Sequence, residues 1–152
     1  MANTDRPSGL TALAVINFVF AAFELLGAIG LIVIFAASSF IAANTAEERD
    51  REMMEQFGSV SFSSAALLVG LQFLSVIFLV ASGIGYLGQR RLLGRWGGNG
   101  YAAVALLIVA AVFGLMPPAI GERQSIGIVS AFFYPLFTLA LVNGVFRRDL
   151  VR

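Results

Sequence analysis

Long runs without a charged residue divide this sequence into apolar blocks. The uncharged runs are residues 7–23, 25–46, 56–89, 96–121 and 124–146. About 20 apolar residues cross a hydrocarbon core of about 30 Å, because each helical residue rises about 1.5 Å. The first two runs form one crossing if Glu24 is accommodated, since no turn residue bounds either of them. The pattern therefore predicts transmembrane helices near residues 10–37, 61–87, 100–116 and 125–146.

These four segments predict an all-α, polytopic membrane protein, a single domain built as an antiparallel bundle of four transmembrane helices. The composition supports this class, because 59% of the residues are hydrophobic and 12% are charged, whereas a soluble domain carries about 25% charged residues. A cleaved signal peptide is the alternative for the first segment. We favour a retained helix, since the apolar run continues for a full crossing without a clear cleavage site.

Arginine placement predicts the orientation of the chain. Seven of the ten arginines lie in the N-terminal segment, the loop 88–99 and the C-terminal tail, and three lie in the other two loops. By the positive-inside rule, both termini and the loop 88–99 should face the cytoplasm. Arginine without lysine, together with many alanines and glycines, favours a bacterial inner membrane as the location.

The residue types that are missing restrict the chemistry of this protein. The sequence has no cysteine and no histidine, so the usual zinc, thiolate, iron–sulfur and haem sites have no ligands. A net charge of +1 gives no electrostatic footprint for nucleic acid. Carboxylates cluster only in the segment 44–58. We therefore expect no cofactor, no nucleic-acid partner and no enzymatic activity.

The charged segment 44–58 is predicted to form a short outer helix. Thr45 would cap it, with Glu48 in the capping-box position, and Gly58 would end it. Met53, Met54 and Phe57 give this helix an apolar edge that would rest on the membrane or on a partner. Its carboxylates suggest cation capture, but the arginines among them favour a solvated helix that pairs its own charges.

The cytoplasmic segment 88–99 combines cations with an aromatic side chain. Arg90, Arg91 and Arg95 are suited to anionic lipid headgroups, and Trp96 is suited to the membrane interface. The glycines of this segment match neither nucleotide-binding pattern. The simpler interpretation is a topogenic stop followed by a tight turn, with lipid contact as a by-product.

Glu24 is the one charged residue inside an apolar helix. Asn17 and Glu24 share a narrow helix face with alanines, which favours a buried contact with another helix. Counted from a turn near residue 50, Gln72 lies at a similar depth and is the predicted partner, while Tyr134 belongs to a polar face of the fourth helix. Without a neighbouring cation, Glu24 should be protonated and hydrogen-bonded at neutral pH.

Two functions fit these features. The first is a non-enzymatic accessory or scaffold subunit. It acts through helix–helix contacts with other membrane subunits or with its own copies, and its other partners are membrane lipids. The second follows from a resemblance. Four short helices with a single glutamate in the first resemble the small multidrug resistance exporters, which implies an oligomer in which Glu24 exchanges protons for cationic substrates. The resemblance covers only the architecture and Glu24.

Overall fold

The chain folds entirely into helices and short turns over the residues that the structure describes. This computed structural model describes residues 8–115, 125–148 and 150; Arg6, the loop 117–124 and Arg152 lie outside them. No strand occurs in this described part. Its α-helices are α1 (Ser8–Asn44), α2 (Glu48–Gly58), α3 (Phe62–Leu87), α4 (Gly97–Leu115) and α5 (Ser125–Ala140). A π-helical turn, Leu92–Trp96, precedes α4, and a second, Leu141–Val145, follows α5.

Within the described ranges, three helical segments are long and apolar enough to cross a membrane. They are Ser8–Asn44, Phe62–Leu87 and Leu92–Leu115. The helical class is thus confirmed, and the three segments indicate a multi-pass membrane protein. The predicted fourth crossing is not shown, because α5 ends at Ala140 after 16 residues and the segment then continues as a π-turn.

The C-terminal end of α1 differs from the prediction. α1 continues to Asn44, where the predicted crossing ended at residue 37. The Thr45 hydroxyl donates to the Ile41 carbonyl at 2.7 Å, and the Asn44 amide donates to the Phe40 carbonyl at 2.8 Å. These bonds satisfy carbonyls that a helix end leaves free. The predicted capping box is wrong, because Thr45 is used by α1 and the residue that precedes α2 is Glu47.

α2 folds back onto α1. Phe57 is buried, and its ring meets that of Phe35 edge-to-face, with centroids 6.0 Å apart. On the exposed side of α2, Arg51 pairs with Glu55 at 3.4 Å, as expected for a solvated helix that pairs its own charges. The Phe57 end of the apolar edge of α2 is therefore covered by the chain itself.

The predicted loop 88–99 is a short turn followed by helix. The chain reverses at Gln89, whose φ of 50° is left-handed, and the Arg90 N–H donates to the Gly85 carbonyl at 2.8 Å. Helix resumes at Arg91. The predicted loop was wrong because the glycines of this segment allow close packing between helices. Gly94 lies directly against Gly85 of α3.

The four longest helices pack against one another in sequence order. α1 packs along α3, α3 along α4, and α4 along α5. One cluster of buried side chains lies toward the α3–α4 turn and contains Leu10, Leu13, Ala14, Tyr86, Val142 and Leu150. A second cluster, Ala21, Leu79 and Tyr101, lies deeper along α1.

Candidate functional site: a polar seam between the long helices

The buried face of α1 brings two polar residues against α3. Ala14, Asn17, Ala21 and Ala28 are all buried, and Glu24 on the same face is half-buried. Alanines let the α3 backbone approach closely, so that polar side chains between them reach partners across the contact. We call the resulting line of polar side chains the polar seam; its members are Asn17, Glu24, Gln72, Ser75, Ser82 and Tyr134.

Asn17 links three helices. Its side chain has no exposed surface; its Nδ2 donates to Ser82 Oγ on α3, and its Oδ1 accepts from the Tyr134 hydroxyl on α5. The Ser82 hydroxyl in turn donates a hydrogen bond to the Leu79 carbonyl at 2.9 Å. Each polar atom of the Asn17 amide group therefore has a partner inside the protein, as a buried amide requires.

Glu24 meets the residue that hairpin symmetry predicts. The Gln72 side-chain amide on α3 donates to Glu24 Oε2. Ser75 is fully buried beside this pair, but its hydroxyl forms no hydrogen bond within the described residues. Glu24 is thus held by an amide, and the residue as a whole is only half-buried.

Tyr134 joins α4 to the polar seam through its ring. The ring stacks on Phe20 of α1, with centroids 4.0 Å apart and planes within 7°. The Tyr101 ring of α4 lies 5.9 Å away and is tilted by 59°. Offset and tilted aromatic pairs are favourable arrangements. α1, α3, α4 and α5 therefore all contribute side chains around Asn17.

A second polar cluster lies near the α3–α4 turn. Arg95 Nε donates to Asn143 Oδ1 at 2.9 Å, and Asn143 Nδ2 donates to Asn99 Oδ1 at 2.8 Å and to the Leu139 carbonyl at 3.0 Å. Arg95 and Asn143 both belong to π-helical turns. This cluster holds the two turns together and fixes the Arg95 guanidinium.

Three of the four residues that were predicted to contact lipid headgroups line one groove. Arg91, Arg95 and Trp96, together with Leu92 and Asn99, line a groove of about 640 Å³, which we call the arginine groove. Arg90 is exposed and is not among the lining residues. The difference arises because Arg90 lies in the turn, before the helix that carries the other two arginines.

Several members of these clusters were missed from the sequence. Gln72, Ser75, Leu79, Ser82 and Tyr86 repeat at alternating spacings of three and four, which marks one helix face. That repeat contains a signal for Ser75 and Ser82, although serine is common enough in membrane helices to be overlooked. Asn99 and Asn143 gave no signal, because 44 residues separate them.

The polar seam offers hydrogen bonds and one carboxyl group. Among the described residues, no group of three or more acidic side chains is placed to hold a metal ion. Compared with known protein families, with characterised proteins and with solved structures, the chain matches none.

Proposed function

We propose that this protein is a non-enzymatic subunit that acts through lateral helix contacts, as an accessory or scaffold component of a membrane complex. The observation that carries the proposal is the internal use of the polar side chains. Asn17, Ser82 and Tyr134 bond to one another across three helices, and Gln72 bonds to Glu24. Their polar groups serve the packing of this chain, and apolar helix faces are left outward.

The outward face of α1 supplies the contact surface in this proposal. Large apolar side chains are exposed along it at helical spacings: Val15, Val19, Phe23, Leu26 and Val33. Lipid covers such a face in isolation, and a helix of another subunit or of a second copy covers it in an assembly.

The proposal includes a topology. A bundle of four crossings, with both termini and the α3–α4 turn in the cytoplasm of a bacterial cell, is supported by the arginine distribution and the positive-inside rule. In this arrangement the segment 125–146 is the fourth crossing, completed by its π-turn, and α2 lies on the outer surface.

Recovery of the native assembly tests the scaffold function. A tagged chain extracted in mild detergent should copurify with a stoichiometric membrane partner or with further copies, seen as one defined mass by native mass spectrometry. Phe23→Ala, which alters the outward face, should weaken the assembly. Phe62→Ala is the control, because Phe62 is also exposed (89%, against 66% for Phe23) but lies at the start of α3. Recovery of the monomer alone from native membranes would contradict the proposal.

A proton-coupled exporter or channel is the second candidate, favoured by two observations. Glu24 is half-buried, so its carboxyl is not sealed inside the protein. Ser75, Tyr86 and Thr138 also carry buried hydroxyl groups that have no hydrogen-bond partner among the described residues. Such groups suit a chain of water molecules that carries protons.

Glu24→Gln discriminates between the two candidates. The amide oxygen still accepts a hydrogen bond from Gln72, but the amide group does not ionise at neutral pH and so cannot carry a proton in a transport cycle. In proteoliposomes with an imposed pH gradient, an exporter should lose proton-coupled flux of a cationic dye in Glu24→Gln and keep it in Glu55→Gln, a change on exposed α2. Unaltered assembly and absent flux in both the parent and the variant would favour the scaffold.

A further inference from the structure

The arginine groove continues into an apolar groove. The second groove, of about 370 Å³, is lined by Phe78, Ala81, Leu92, Leu93, Trp96 and Gly97; we call it the apolar groove. Leu92 and Trp96 line both. α3 ends at the α3–α4 turn. Phe78 comes about nine residues before that end, so it lies roughly 14 Å from the turn along the helix axis. The two grooves therefore adjoin at Leu92 and Trp96, with two arginines near the turn on one side and apolar side chains deeper along α3 on the other.

The charges of the arginine groove are not balanced within the described residues. Arg91 and Arg95 lie four residues apart and line the same groove, and no described carboxylate forms an ion pair with either. Like charges at this spacing repel. Asn143 holds only Nε of Arg95, which leaves the terminal nitrogens of that guanidinium to donate to an anion. Paired guanidinium groups suit phosphate, which accepts two parallel hydrogen bonds.

The exposed apolar side chains identify the class of anion. Trp96 is 72% exposed and Leu92 is 71% exposed, and both stand between the two grooves. A soluble phosphate would bind the arginines and leave these side chains uncovered. A phospholipid covers them with its glycerol backbone and acyl chain, at the depth where tryptophan is favoured.

We propose that the two grooves form a binding site for one anionic phospholipid. Arg91 and Arg95 bind the phosphate, Asn99 and Trp96 contact the glycerol region, and one acyl chain lies in the apolar groove across Phe78 and Ala81. A zwitterionic lipid binds less well, because its own cation repels the arginine pair. The site goes beyond the scaffold function and does not depend on it.

The only tryptophan of the chain, Trp96, reports directly on this site. The full chain is reconstituted in phosphatidylcholine vesicles that contain a minor share of phosphatidylglycerol, with bromine on the acyl chains of one lipid at a time. Bromine quenches tryptophan on contact. From the relative quenching, we expect a preference for phosphatidylglycerol of roughly fivefold at Trp96, the effect of about one surface cation.

Matched variants locate the site. Arg91→Gln should reduce the preference to below about twofold, whereas Arg90→Gln, the same change one residue outside the groove, should keep it. Ala81→Phe should fill the apolar groove and weaken quenching by brominated phosphatidylglycerol. Circular dichroism and gel filtration in detergent verify that each variant is folded.

Three results would overturn the assignment. Equal quenching by the two brominated lipids would show no selectivity for an anion. An equal loss in Arg90→Gln and Arg91→Gln would show diffuse charge attraction in place of a site. Displacement of the lipid by inorganic phosphate at an equal concentration, with no effect of Ala81→Phe, would assign the arginines to a soluble anion.

Discussion

Asn17 is the side chain at which three helices are joined by hydrogen bonds. It is fully buried, and its partners Ser82 and Tyr134 belong to α3 and α5. Polar contacts between membrane helices contribute about 0.6–2 kcal/mol each, so two such bonds on one residue are a substantial share of the stability of a small bundle.

Removing the Asn17 amide should therefore destabilise the bundle. Asn17→Ala is expected to lower the free energy of unfolding by about 1–3 kcal/mol, because two bonds are lost. The half-buried Tyr134 hydroxyl then has no partner on α1, and Ser82 keeps only its bond to the Leu79 carbonyl. Unfolding by a denaturing detergent measures this. The control is Asn44→Ala in the same helix, where the amide is exposed and bonds only to the Phe40 carbonyl. Equal effects in both variants would contradict a special role for Asn17.

For each hydrogen-bonded pair of side chains, one member can be predicted from the sequence. Asn17 and Glu24 can be identified because polar residues are rare in an apolar helix, and helical periodicity places them on the alanine face. The partner is harder to predict. Gln72 follows from counting residues across a hairpin, but Ser82 and Asn143 depend on how the helices rotate about their axes. That rotation is set by close glycine contacts that local periodicity does not encode.

Close backbone contact fixes the turn between α3 and α4. Gly85 and Gly94 touch across it, and a Cβ atom on Gly97 would lie 2.8 Å from the Ser82 backbone nitrogen. Only glycine permits such an approach. Here the glycine-rich segment, which the sequence predicted to be a loop with a tight turn, is a packed part of the helix pair.

Gly85→Ala should disrupt this contact, whereas Gly70→Ala in the same helix should not. A methyl group on Gly85 would collide with the Gly94 backbone, while one on Gly70 has no heavy atom within 4 Å. Overpacking of this kind costs about 1–3 kcal/mol, and Gly70→Ala should be neutral or stabilise the helix slightly. Thermal unfolding in detergent compares them. A Gly85→Ala protein as stable as Gly70→Ala would show that the turn can shift freely.

α2 should be released from α1 when its aromatic anchor is removed. Phe57 is 7% exposed and packs on Phe35. In Phe57→Ala, hydrogen exchange of the amides in 48–58 should become faster by about tenfold or more, since truncating a buried phenylalanine costs about 3 kcal/mol. Phe62→Ala is the control, because Phe62 is 89% exposed. Unchanged exchange in Phe57→Ala would mean that other contacts hold α2.

On the scale of the whole molecule, the number of crossings is the property that an experiment can settle most directly. The chain has no cysteine, so a single introduced cysteine is the only site for a thiol reagent. With a membrane-impermeant maleimide, Ser59→Cys should react from outside, and Gln89→Cys only after the membrane is opened.

Arg147→Cys then counts the crossings. Its side chain is exposed after α5. If α5 and its π-turn cross the membrane, it should behave like Gln89→Cys, on the cytoplasmic side. If the chain crosses three times, it should react from outside, as Ser59→Cys does. The second result would contradict the four-crossing topology that we propose.

The length of α1 has a consequence for the surrounding bilayer. Its 37 residues form a rod of about 55 Å, whereas the hydrocarbon layer is about 30 Å thick and membrane helices rarely lean by more than about 40°. Even at that inclination the rod rises through roughly 42 Å, so about 12 Å of it must stand among headgroups or in water. α2 packs against the C-terminal part of α1, so a protrusion at that end is a braced pair of helices, and its reach follows from the length and the tilt of α1.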